Sequence, residues 1–138
     1  MDRQRLALVA GAMVALGISG SAFACCPTGT GGFTDSGLGE TSPPGPDLAA
    51  DAEWQVYGFE RAGIRHLQVN GGGQVRFAVG YIGETVWVVP TGIDADRVRL
   101  PGDPLPEGAG VTVYAGDLNI RRYSTQSGDV WVIESAER

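Results

Sequence analysis

The chain has no lysine, one histidine and only two cysteines, which stand side by side at Cys25 and Cys26. Each shortage removes a class of chemistry. Without lysine there is no Schiff-base nucleophile and no phosphate-loop cation. One histidine cannot build a multi-histidine metal site. All ten basic residues are arginine, and 16 acidic residues outweigh them to a formal charge of −6. Nucleic acid is a poor partner for such a surface, because its binding depends on clustered cations at phosphates. Neither a Gly-x-Ser-x-Gly elbow nor a domain cysteine with a histidine partner is found, so nucleophilic catalysis has no signature here. Nothing in the sequence calls for a cofactor.

What is present begins with an address. Arg3 and Arg5 precede an uncharged run from Leu6 to Ile18. That run is too short to span a bilayer, which needs about 20 apolar residues, but it suits the core of a signal peptide. Ala22-Phe23-Ala24 then supplies an A-x-A cleavage pattern, so residues 1–24 read as a signal peptide and the protein as exported. Cleavage after Ala24 leaves Cys25 as the first mature residue. The stretch Ala22 to Cys25 resembles the lipobox of bacterial lipoproteins at Ala24 and Cys25, and departs from it at Phe23. Two outcomes stay open: lipidation of Cys25 with membrane attachment, or a free or disulfide-bonded pair in an oxidising compartment. The leader's style implies the periplasm, or an outer-membrane anchor, of a Gram-negative bacterium.

Residues 25–46 read as a flexible linker. Over 27–46 there are six Gly, four Pro and six Ser or Thr, too little apolar surface to offset the entropy of ordering. Asp47 to Glu53 is predicted to form one or two helical turns with Asp47 as the N-cap. Residues 47–138 constitute a single domain.

From Trp54 onward, β-branched and aromatic residues alternate with polar ones between Gly, Asn and Asp turns. Strands are predicted near 54–60, 63–69, 74–82, 85–90, 96–100, 110–115, 118–124 and 129–134. The clearest alternation puts Val75, Phe77, Val79 and Tyr81 on one face. Gly83-Glu84 suits a two-residue II′ hairpin, while Pro101 to Gly110 is a loop. Short connections favour sequential antiparallel pairing. The expected fold is therefore all-β: a small antiparallel β-barrel or a two-layer β-sandwich of about eight short strands, behind a disordered Gly/Pro-rich linker.

Candidate sites are few. His66 shares a half-polar face with Ile64 and Gln68 and reads as a surface residue rather than a base. Asp94-Ala95-Asp96 opens like a calcium loop, yet Arg97-Val98-Arg99 follows where further oxygen ligands are required, so a turn before a strand is the better reading. Leu118-Asn119-Ile120-Arg121 looks like the opening of bacterial Src-homology-type cell-wall barrels; it lacks their Ser-Gly-Pro turn and closes the domain instead of opening it. The aromatic residues carry what remains. The uncharged strand Thr85 to Val89 is apolar on both faces, so it is either central and covered twice or offers one face to a partner; Trp87 within it is expected in the core. Trp131 shares its face with Asp129 and Ile133, and is expected to be partly exposed. Trp131, Ile133 and Tyr123 thus form the candidate binding face, with an envelope protein or a glycan as partner. The expected function is a non-enzymatic, macromolecule-binding β domain on an N-terminal tether. The alternatives are a small periplasmic hydrolase using carboxylates and a structural lipoprotein.

Overall fold

A computed structural model describes residues 32–136. Residues 1–24, read above as a signal peptide, together with Cys25 and the first part of the expected linker lie outside the described residues.

The fold is all-β, with two four-stranded sheets that do not close into a barrel. The first sheet is a meander of β1 (Gln55–Arg61), β2 (Ile64–Gly71), β3 (Gln74–Ile82) and β4 (Thr85–Val89), paired in that order. A 3-10 turn at Ala95–Arg97 carries the chain into the second sheet. That sheet holds β5 (Val98–Arg99), β6 (Val111–Ala115), β7 (Leu118–Thr125) and β8 (Gly128–Ser135), in the spatial order β5-β8-β7-β6. All pairs are antiparallel except β5 with β8. This parallel pair departs from the all-antiparallel expectation. It arises because the chain changes sheets between β4 and β5 instead of turning back on itself.

Alternation drives the layering. Val56, Leu67, Val69, Phe77, Val79 and Tyr81 from the first sheet meet Val113, Ile120, Trp131 and Ile133 from the second in one buried core. Burying such side chains contributes about 1.5–3 kcal/mol each relative to exposure. Two bulges adjust the pattern. In the β2–β3 pairing Val69 faces Phe77 but Asn70 faces Val75, so Arg76 has no opposite residue. The bulge lets Arg76 reach the interior edge even though its neighbour Phe77 points into the core. A second bulge, in β6, lets the consecutive residues Val113 and Tyr114 both join the core.

The turns follow the glycines. Ala62 and Gly63 both adopt positive φ, at 53° and 80°, as a two-residue I′ hairpin requires. Gly83, at φ 58°, takes the first central position between Ile82 and Thr85, as expected for II′.

Two expectations fail on the N-terminal side. No helix forms over 47–53. The Asp47 carboxylate instead accepts hydrogen bonds from the Ala49 and Val56 amides, both at 2.9 Å, which fixes a turn against β1. Residues 32–46 are also not a free tether, because they lie along the first sheet as a strap. Thr34 pairs with the edge of β1, donating to the Gly58 carbonyl and accepting from the Glu60 amide. Farther along, the fully buried Gln68 accepts from the Gly39 amide at 2.6 Å and donates to the Glu40 carbonyl at 2.8 Å. Asn70 donates to the carbonyls of Glu40 and Thr41. Composition misled here because Gly- and Pro-rich chain needs little apolar surface when side chains on the sheet satisfy its backbone. Leu48 then bonds to β1 and Ala50 to β6, bridging the edges of the two sheets.

Candidate functional site

The residues expected to form a binding face are inside. Trp131 and Ile133 are fully buried, and Tyr123 is buried with Val130 and Val132 in a separate small cluster. Asp129, Trp131 and Ile133 do share a face, but it is the inner one, and Tyr123, opposite Val130, lies on the other face of the sheet. Asp129 suggested solvent, whereas it turns toward the interior end of the sheets and is held by arginine. The Arg122 Nη1 lies 3.1 Å from its Oδ1, and the Arg76 Nη2 lies 3.8 Å from its Oδ2. Trp131 packs edge-on to Trp54, with ring centroids 4.8 Å apart, and its indole N–H donates to Asp94 at 2.9 Å. Arg76 completes that site with two nitrogens 2.8–2.9 Å from the same Asp94 oxygen. The Asp94 stretch therefore holds an indole and a guanidinium. Its carboxylate is buried and satisfied, which suits a structural role.

Trp87 shows the opposite error. Its strand is the outermost of the first sheet, and its side chain points away from the core while Val86 and Val88 pack inward. The indole is half-buried and packs against Gly80, where any side chain would collide with the ring. His66 stands edge-on to it, at 6.4 Å between centroids. Burial lowers the His66 pKa, so the ring is neutral at neutral pH. On this outer face the strap covers Gln68 and leaves Trp87 beside His66. Of the three tryptophans, Trp87 alone remains accessible.

A second feature lies where the β1–β2, β3–β4 and β6–β7 turns meet the end of β8. A cavity of about 430 Å3 there is lined by Arg65, Tyr81, Glu84, Asp117 and Ser135, among others. Asp117, in the turn after β6, accepts from the Tyr81 hydroxyl at 2.7 Å and from Arg65 at 2.9 Å. Tyr114 donates to its other oxygen at 3.4 Å. Arg65 also pairs with Glu60 at 3.3 Å. Burial by itself would raise the Asp117 pKa, but the bonds from Tyr81 and Arg65 outweigh it and hold the carboxyl below its ordinary value. Desolvation, reinforced by the neighbouring carboxylate, pushes the Tyr114 phenol up to about 12 and the Tyr81 phenol higher still. The hydrogen bond to Asp117 keeps the Arg65 guanidinium firmly charged. A general acid or base works best with a pKa near the working pH. This cluster moves its groups away from neutrality, and it ties β2 and β3 of the first sheet to the turn between β6 and β7.

The sequence offered little warning of Asp117, which sits in an ordinary Gly-Asp turn. The only signal was Tyr81, an inward residue at a strand end whose hydroxyl needs a partner. Among the described residues no three His, Cys, Asp or Glu side chains converge as a metal site would require.

Fold and surface thus define a two-sheet β domain with a partly exposed tryptophan on one outer face. Comparison with protein-family models, with curated proteins and with solved structures finds no match to the chain.

Proposed function

We propose that this protein is an exported, non-enzymatic binding domain of a Gram-negative envelope, and that it engages a glycan through the outer face of the first sheet at Trp87. The observation that carries the reading is the partly exposed Trp87 indole packed against Gly80 on the outer face, where only glycine leaves it room. The indole packs against the glycine and stands edge-on to the neutral His66 imidazole, with part of its surface open to solvent. A large, rigid, uncharged platform of this kind suits the apolar face of a sugar ring, and it orders few side-chain torsions on binding. The surrounding strand Thr85 to Val89 carries no charge, so an uncharged polymer meets no desolvated ion there. The non-enzymatic part rests on Asp117, whose carboxyl and tyrosine partners are tuned away from proton transfer at neutral pH. Export rests on residues 1–24, and attachment through a lipidated Cys25 is the membrane-bound form of the same proposal.

The test is co-sedimentation of the purified protein with envelope polysaccharide, comparing the wild type with Trp87→Ala. The variant should lose most of the pelleted fraction while its far-ultraviolet dichroism stays that of a β protein. Equal pelleting by the two proteins would remove Trp87 from the site. Failure of the wild type to pellet would defeat the glycan reading.

A further inference from the structure

The two edges of the first sheet are treated differently by the chain. The strap residues Thr34 and Leu48 bond to β1, but among the described residues no backbone group bonds to the outer edge of β4. In a two-residue hairpin the residues flanking the turn exchange both backbone bonds, so Thr85, Trp87 and Val89 direct theirs toward β3. The amides and carbonyls of Val86 and Val88 point outward. Unprotected edges are usually blunted by charge, proline or a bulge. None of these interrupts Thr85–Val89, and the nine residues from Thr85 to Ile93 contain no charge in a chain of net −6.

We infer that β4 pairs antiparallel with β4 of a second copy of this chain, about a two-fold axis at Trp87, joining the two first sheets into one sheet of eight strands. The strand is self-complementary in that register. Val86 of each copy faces Val88 of the other, and the two pairs exchange four backbone hydrogen bonds. Trp87 falls opposite its own symmetry mate at a non-hydrogen-bonded position, and because each indole is turned back over Gly80 of its own sheet the two do not obstruct the pairing. Charge allows it: Glu84 falls opposite Pro90 of the mate, so no like charges meet. An interface of two five-residue edges lies at the small end of specific contacts, so the dimer should be weak and concentration-dependent. It would also set two Trp87 indoles side by side on one outer face. The pairing is independent of the glycan reading, since it needs no ligand.

Sedimentation of the full chain alone, under reducing conditions so that Cys25 and Cys26 cannot link copies, provides the test. Between about 1 and about 500 μM the weight-average mass should rise from one copy toward two, as a weak interface requires. Val88→Pro deletes an outward amide without touching the bonds to β3, and should hold the protein monomeric across that range. Amide exchange on the wild type gives a second readout that does not depend on the variant folding. The Val86 and Val88 amides should exchange slowly at high concentration and at least tenfold faster on dilution. A mass of one copy throughout would overturn the proposal. So would a dimer in which those two amides exchange as fast as exposed loop amides.

Discussion

The two ends of the sandwich hold their sheets together with similar residues in different settings. At one end Asp94 is buried and receives Arg76 and the Trp131 indole, while Arg76 and Arg122 each lie 5.5 Å from the Trp54 ring. At the other, Asp117 is about one-third exposed and receives Arg65 and Tyr81 beside an open cavity. Both clusters place an arginine and an aromatic donor on one carboxylate. The difference lies in solvent access. Where water is excluded, losing one partner strands the others, whereas at the open end water can replace it.

The largest effect should come from emptying the closed end. Trp131→Ala removes a fully buried indole that packs on Trp54 and Phe77, and should cost roughly 3–5 kcal/mol in denaturant melts. A cost below about 1 kcal/mol would mean that the indole is not core. Asp94→Ala should come next, at roughly 2–4 kcal/mol, because it leaves the Arg76 charge and the Trp131 N–H without their main acceptor. Asp129 remains near Arg76 and moderates the loss. If Asp94→Ala proved no more harmful than Asp117→Asn, the contrast between the ends would collapse.

At the open end the effects should be smaller and visible mainly through pH. Asp117→Asn should cost under about 1 kcal/mol, since the carboxylate and Arg65 are both partly exposed and screened. Because its folded pKa is lowered, the Asp117 contribution is fully present above its unfolded value near 3.8 and is lost as pH falls through the lower folded value. The tyrosines act in the other direction. Their folded pKa values are raised, so their contribution is intact below pH 10 and is lost as the pH climbs from there toward about 12 and beyond. Thermal melts across both windows should show the alkaline decline shrinking in Tyr81→Phe and Tyr114→Phe. An unchanged alkaline limb in the double variant would detach the tyrosines from stability. The smallest effect is a gain. Ala62 holds φ at 53° in the β1–β2 turn, where a Cβ is unfavourable. Ala62→Gly should therefore raise the urea midpoint by the equivalent of about 0.5 kcal/mol, net of the entropy that glycine adds to the unfolded chain.

Much of the fold was legible because strand alternation and turn chemistry are local. Val75 to Tyr81 and the Gly83 turn announce themselves within a few residues, and the eight strands fall close to where those signals put them. The direction of a face is not local. Asp129 beside Trp131 reads as solvent until Arg76 and Arg122, from other strands, are seen to pair with it. Thr85 to Val89, apolar on both faces, fits a doubly covered strand as well as one with a free face, and only its place at the sheet edge decides between them. The strap is the same lesson in reverse, since its anchors Gln68 and Asn70 lie some 30 residues downstream of the chain they hold. The Asp117 cluster draws on three strands and a turn, and no spacing rule could have assembled it.

The strap also changes how far the domain can travel. A linker free from residue 25 to 46 would give a lipid-anchored domain a long radius of action. With Thr34 already fastened to β1, the chain from Cys25 to that fastening is short, at most about 30 Å even when fully extended at ~3.5 Å per residue. A lipid on Cys25 would therefore moor the domain close to the bilayer by its β1 side. Trp87 and the bare edge of β4 lie across the sheet from that fastening, at the opposite edge from β1.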